Sequence, residues 1–159
     1  MTDRLVALHI DDGGRPAPSA EIEQERRVAV LDLLEANSFA LPPRDGRPAQ
    51  GPWKLSLAIR EGRLVFAVTS EQGEPAGEFH MSLGPFRQVV KDYFQICDSY
   101  YEAVRTLPPS QIETGDMARR GIHNEGARVL QERLEGKAEL DTDTARRLFT
   151  LICVLHPGA

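Results

Sequence analysis

The sequence predicts an α+β domain in which an antiparallel three- to four-stranded sheet is covered on one face by three to four helices, in the order βαβββααα. Residues 53–83 alternate apolar and polar side chains, as strands with one buried face do. Residues 85–107 repeat their apolar side chains at helical spacing. With 159 residues and 41% hydrophobic content, the chain is long enough to bury one hydrophobic core but too short to bury two of normal size. We therefore interpret residues 1–159 as a single globular domain.

Local signals place the elements of the N-terminal half. Residues 4–10 alternate as a strand that ends at an Asp-Asp-Gly-Gly turn. Ser19 is positioned to cap a helix that runs to about residue 37. The prolines and glycines of residues 42–52 are typical of a surface loop. The alternating stretch that follows is interpreted as an antiparallel meander whose apolar face must be covered by helices.

Three helices are predicted in the C-terminal half. Pro85 suits the first turn of the first helix, which a Pro-Pro pair ends. Residues 110–135 have a composition typical of a second helix, and Asp141 is positioned to cap a third that ends near residue 155. The end of the third helix is apolar nearly all round, a pattern typical of a wedged helix or of half a subunit contact. A homodimer through residues 145–155 is one prediction from this pattern.

Charge and composition argue against several classes of partner. The formal net charge is −5, from 24 acidic and 19 basic residues, whereas nucleic-acid binding needs a surplus of cations. No apolar run approaches the roughly 20 residues of a membrane span, and the first residues lack a signal-peptide pattern. Cys97 and Cys153 lie within apolar helical patterns and are interpreted as core residues. We expect a cytoplasmic protein with neither nucleic-acid nor membrane partners.

The predicted helix over residues 110–135 departs from an ordinary pattern. Three glycines interrupt it, and each costs up to about 1 kcal/mol relative to alanine. These are Gly115, Gly121 and Gly126. The inward stripe of this helix carries Asp116, Arg119 and His123 between apolar ends, with the first and last glycines flanking them. Their missing side chains would leave room for a neighbouring helix or a ligand.

We interpret this polar set as a binding site for a small anionic group, a phosphate or a carboxylate. A guanidinium covered by protein needs a carboxylate, a polar pocket, water or an anionic ligand beside it. The planar fork of an arginine matches such an anion, and a histidine donates a hydrogen bond or a proton near neutral pH. Tyr93 of the preceding predicted helix is expected to meet the stripe, and Arg120 and Asn124 are expected to close one rim of the site. The candidate ligand-binding residues are Arg119, His123, Asp116, Arg120, Asn124 and Tyr93.

Three functions stay open at this point. The first is a non-enzymatic binding or regulatory domain that holds the anionic group. The second is a hydrolase or transferase acting on a phosphorylated or carboxylated substrate, in which His123 is the general acid/base, Asp116 or Glu125 orients it, and Arg119 stabilises developing charge. The third is a protein-interaction module in which Asp116 pairs with Arg119 and the stripe is a structural polar network.

Other chemistries find less support in the sequence. The four histidines lie on different predicted elements without metal-ligand spacing, so no metal is predicted. Nucleophile-elbow, phosphate-loop and dinucleotide motifs are absent from the sequence, so no cofactor is predicted. Arg146 and Arg147 of the last helix are interpreted as solvated cations, with Arg146 joining the anion site if that helix packs beside Arg119.

Five stretches of the sequence contain motifs that are typical of one family. They are LGPFR at 83–87, KDYF at 91–94, SYYEA at 99–103, DMARRGIHNEG at 116–126 and DTARRLFTLIC at 143–153. Through these stretches the chain resembles, over essentially its whole length, a bacterial family described only as an uncharacterised protein family with a placeholder number. The resemblance implies a cytosolic bacterial single domain and brings no assigned reaction.

Overall fold

The structure is a computed structural model that describes residues 3–14, 17, 19–43 and 51–156, without the side chains of residues 111 and 113–116. Its strands are β1 (Leu5–Asp11), β2 (Phe39–Ala40), β3 (Trp53–Arg60), β4 (Arg63–Ser70), β5 (Pro75–Ser82) and β6 (Glu139–Leu140). Its helices are α1 (Ala20–Glu35), α2 (Arg87–Thr106), α3 (Pro109–Arg133) and α4 (Thr142–Leu155), with a 3-10 turn at Gly84–Phe86 before α2. The α+β class is confirmed. Most of the predicted loop, residues 44–50, lies outside the described residues.

The main sheet has the strand order β1-β3-β4-β5. The meander of β3, β4 and β5 is antiparallel as predicted, and the buried row Leu57, Phe66 and Phe79 crosses it at one register position. The expectation of a wholly antiparallel sheet is wrong, because β1 pairs with β3 in parallel. Helix α1 lies between these two strands in the chain and carries it back, so that both strands run in the same direction.

A second, two-stranded sheet was not predicted. In it Phe39 of β2 pairs with Leu140 of β6 in antiparallel register. Each strand has two residues, too few to show an alternating pattern. The pairing ties the segment after α1 to the segment before α4, and it thereby helps to fix the two helices next to each other.

The predicted helix caps are confirmed, and they help to position α1 and α4. The Ser19 side chain accepts a hydrogen bond from the Ile22 amide at 3.1 Å, and Asp141 accepts one from the Thr144 amide at 2.8 Å. Past the end of α1, the Asn37 side chain accepts from the backbone N–H of Leu5 at 2.7 Å and donates to its carbonyl at 2.9 Å. Helix α1 is therefore anchored to the start of β1.

Helix α4 is the central helix of the core. It contacts α1, α3 and β3, and most of its side chains are buried within this one chain. The apolar ones are Ala145, Leu148, Phe149, Leu151, Ile152, Cys153 and Leu155. The helix is therefore wedged between other elements, one of the two alternatives that its apolar character indicated. A homodimer through residues 145–155 stays a prediction.

No helix among the described residues combines the length and the apolar character that crossing a membrane requires.

Candidate functional site

Arg119 of α3 meets a partner that sequence reasoning missed. Its Nη1 donates to Oε1 of Glu25 in α1 at 2.5 Å, and the Tyr101 hydroxyl of α2 donates to the same oxygen. The guanidinium also lies over the ring of Tyr100, 4.6 Å from its centroid. Burial is the largest single influence and by itself would lower the pKa of Arg119, but the Glu25 carboxylate, together with smaller contributions from Cys97, Tyr101 and Tyr100, outweighs it, so the pKa is raised. The expected partner, Asp116, has a side chain outside the described residues.

The inward position of Glu25 could have been predicted from the spacing of the apolar residues in α1. Ile22, Ala29 and Leu33 form the buried face of α1, and residue 25 follows the first by three positions and precedes the second by four. That spacing places Glu25 on the inward face. Its side chain is only 18% exposed, and the Arg119 side chain is 24% exposed. Glu25, Arg119, Tyr100 and Tyr101, which we call the Glu25 cluster, thus join α1, α2 and α3.

His123 lies half-buried where α2, α3 and α4 meet. Its ring meets Tyr93 edge-on at 5.4 Å between centroids, and Phe149 at 6.1 Å. Its Nδ1 lies 3.4 Å from the Thr150 hydroxyl. Burial lowers the pKa of His123 to about 4, assisted by the positive charge of Arg119. The imidazole is therefore neutral at neutral pH.

The lowered pKa of His123 predicts a pH-dependent stability. Between pH 6.5 and 4 the unfolded chain binds a proton at this site that the folded chain does not. The stability contribution is therefore complete above pH 6.5 and is lost as the pH falls towards 4, with a slope of up to about 1.4 kcal/mol per pH unit. Urea unfolding at pH 7, 6 and 5 should give a flatter pH dependence for His123→Gln than for the wild type. Equal slopes for His123→Gln and the wild type would contradict this prediction.

The remaining predicted site residues are only partly brought together: Tyr93 contacts His123, whereas Arg120 and Asn124 are exposed. Glu125, the alternative partner for an acid/base histidine, pairs with Arg128 at 2.5 Å. The prediction that Glu125 orients His123 is therefore wrong. Tyr93 is fully buried below the histidine and contacts it through its ring. No group of three or more His, Cys, Asp or Glu in the described part of the chain is placed to hold a metal.

Gly126 makes room for a neighbouring helix, one of the two alternatives that we expected. A Cβ at this position would lie 2.4 Å from ring carbons of Phe149 in α4. A Cβ at Gly121, in contrast, would have nothing within 4 Å. Gly115 lies in the stretch 113–116, whose surroundings are outside the described part of the structure. The glycine that faces the core thus has a packing role between α3 and α4.

A cleft of about 240 Å³ opens beside His123. One face of α1 and one face of α4 line it, each with residues at helical spacing i, i+3, i+4 and i+7. The lining residues are Glu25, Val28, Ala29 and Asp32 from α1, Asp143, Arg146, Arg147 and Thr150 from α4, and His123 from α3. Arg119 is absent from this lining.

Arg146 is the unusual residue of the cleft. Its Nε is buried and has no hydrogen-bond partner among the described residues. Its Nη1 lies 3.6 Å from the Asp143 carboxylate, beyond normal hydrogen-bond length. Arg147, next to it, donates to the Ala36 carbonyl at 3.1 Å. Both arginines, which the sequence indicated as solvated cations, thus line the cleft.

Comparison with known proteins assigns the chain to a family. The model of the uncharacterised protein family UPF0262 matches residues 2–157. The chain belongs to this family. It is similar to UPF0262 proteins of Cereibacter sphaeroides strain ATCC 17025 (72% identical over 157 residues, 98% of this chain and 99% of the relative) and Roseobacter denitrificans (71% over 156 residues, 98% of each). The UPF0262 protein of Paracoccus denitrificans is 68% identical over 157 residues, covering 98% of this chain and 97% of the relative.

The resemblance to an uncharacterised bacterial family is confirmed by these matches. No solved structure matches the chain. Since UPF0262 is a family without an assigned activity, the chemistry of this member rests on its own side chains. In this UPF0262 protein the groups that face the cleft are carboxylates, guanidiniums, a neutral imidazole and a threonine hydroxyl, all of which can hold a small polar molecule.

Proposed function

We propose that this protein is a binding protein for a small molecule that carries a carboxylate or a phosphate, held in the cleft between α1 and α4. The observation that carries the proposal is the Nε of Arg146, a buried charged donor without a hydrogen-bond partner among the described residues. Leaving such a donor unsatisfied is costly, whereas an anionic oxygen beside it forms a charge-assisted bond. Arg146 is the proposed anion-binding residue.

The anion-binding residue proposed here is Arg146, whereas the sequence indicated Arg119. Arg119 already donates to Glu25 and is not among the residues that line the cleft. His123 does line it, and its neutral ring offers a hydrogen bond without adding charge. The wall of α1 adds Val28 and Ala29, which suit the apolar part of a small molecule.

Binding is favoured over acid/base catalysis by the state of His123. With a pKa of about 4, the imidazole is neutral near neutral pH. It then has no acidic proton for general-acid catalysis and is a weak general base. A general acid/base is most effective when its pKa lies near the working pH. The hydrolase or transferase hypothesis therefore finds less support in this side chain than the binding hypothesis.

Binding is testable with a defined panel of inorganic phosphate, short carboxylates and amino acids. We expect at least one class to raise the melting temperature and to shift backbone amide resonances of α1 and α4 in a saturable way. A ligand at a hundred times its Kd stabilises the fold by about 2.7 kcal/mol. Arg146→Met should abolish the response, whereas Arg27→Met, at an exposed site outside the cleft, should retain it. A panel in which no compound gives an Arg146-dependent response would disprove the proposal.

A further inference from the structure

The cleft offers an acceptor as well as a donor. Asp32 of α1 lines it, is half-buried, and has no hydrogen-bond or ion-pair partner for its carboxylate among the residues that the structure describes. Arg146 lies on the α4 wall of the same cleft with its buried Nε unpartnered. A carboxylate and a guanidinium with free bonding positions are therefore presented to one small volume.

We infer that the ligand is a zwitterion, a small free amino acid whose carboxylate binds Arg146 and whose ammonium binds Asp32. This inference rests on the proposed function and narrows it to one class of ligand. The ammonium group has three donors and no acceptor, which suits a carboxylate, and the ligand carboxylate has acceptors only, which suits a guanidinium. Each free group of the cleft is thereby satisfied by one molecule.

The charge of the cleft favours a ligand without net charge. Three carboxylates line it, those of Glu25, Asp32 and Asp143. Arg146 and Arg147 line it too, and Arg119 lies against Glu25 from outside the lining, so three cations balance three anions. A purely anionic ligand would meet Arg146 together with the repulsion of Asp32 and Asp143, whereas an added ammonium turns the contact with Asp32 into an attraction.

The size of the cleft limits the ligand. Its volume of about 240 Å³ is below the roughly 300–1,000 Å³ typical of sites for drug-sized molecules. Val28 and Ala29 form the apolar part of its lining. A short amino acid fits these limits, with its two charged ends on the polar groups and its methylene groups against the α1 wall.

Matched pairs of compounds test the inference. Glycine, β-alanine and γ-aminobutyrate are titrated beside acetate, propionate and butyrate, which have the same chain lengths without the amine. We expect at least one amino acid to bind with a Kd at least tenfold lower than its matched carboxylate, as measured by amide chemical shifts of α1 and α4. Asp32→Asn should reduce that ratio to less than about twofold, and Arg146→Met should abolish both kinds of binding.

Controls separate the inference from the proposed function. Asp98→Asn removes the same charge at an exposed position of α2 outside the cleft and should keep the tenfold preference. Thermal melts of each variant check that it is folded. Equal binding of amino acids and matched carboxylates, or tighter binding of inorganic phosphate, would overturn the zwitterion while the anion proposal stands. Binding of no compound would overturn both.

Discussion

Replacing Gly126 with alanine is expected to lower the free energy of unfolding by about 1–3 kcal/mol, even though alanine is the better helix former. The new Cβ would lie 2.4 Å from the ring carbons of Phe149, far inside the contact distance of roughly 3.5–4.0 Å between carbon atoms. Phe149 is fully buried, so its ring has no empty space into which to move. The loss is measurable as a lower urea midpoint, and valine at the same position should cost more.

Gly121→Ala is the matched control for this prediction. It makes the same chemical change in the same helix, but nothing lies within 4 Å of the added Cβ. We expect it to be neutral or to stabilise the fold by up to about 1 kcal/mol. If Gly126→Ala stabilised the protein as much as Gly121→Ala, the close packing of α3 on Phe149 would be refuted.

A double-mutant cycle assigns the cost to Phe149. In a Phe149→Leu background the side chain that meets residue 126 is smaller, so Gly126→Ala should cost at least about 0.5 kcal/mol less than in the wild type. An unchanged cost would place the clash elsewhere. The cycle is needed because Phe149→Leu also loses packing of its own in the core.

Local patterns in the sequence predicted the elements well. The side chains at 19 and 141 that can accept an amide hydrogen bond are the observed caps, and the alternation over residues 53–83 forms β3, β4 and β5. These features depend on neighbours within a few positions, and such neighbours are visible in the sequence. The apolar end of α4 also had a correct interpretation, a wedged helix, while the homodimer through residues 145–155 stays a prediction.

Contacts between distant segments were not predictable in the same way. The parallel pairing of β1 with β3 depends on the path of α1, and the partner of Arg119 is Glu25, 94 positions away. A helical wheel of α3 shows which side chains turn inward but not which helix they meet. The stripe was therefore recognised as a place where a cation is buried, but Glu25 was not named as a partner; the predicted partner, Asp116, has a side chain outside the described residues.

The cleft residues illustrate the same limit. Asp32 and Arg146 each occupy an unremarkable position on a helical wheel, and only the packing of α1 beside α4 makes them share a cleft. The sequence hypothesis of an anion site included Arg146 on the condition that its helix packs beside Arg119. Helix α4 packs on α3, but Arg146 faces the cleft with His123 while Arg119 faces Glu25.

Replacing Glu25 with leucine is expected to lower the free energy of unfolding by about 3 kcal/mol. The substitution leaves the Arg119 guanidinium largely covered without its carboxylate, and it removes the acceptor of the Tyr101 hydroxyl. Urea unfolding without added ligand measures the loss. Glu21→Leu is the matched control, because Glu21 also joins α1 to α2 through Arg105, but at an exposed site where less than about 1 kcal/mol is expected.

The loss of stability in Glu25→Leu should come mainly from the positive charge of Arg119, which remains after its contact with Glu25 is removed. The double variant Glu25→Leu with Arg119→Met tests this. Removing both charges eliminates a largely covered guanidinium that has lost its contact with Glu25, so the double variant should be at least about 1 kcal/mol more stable than Glu25→Leu alone. If the double variant were the less stable of the two, Arg119 would find other stabilisation once Glu25 is lost. That result would refute the charge left at Arg119 as the main source of the cost.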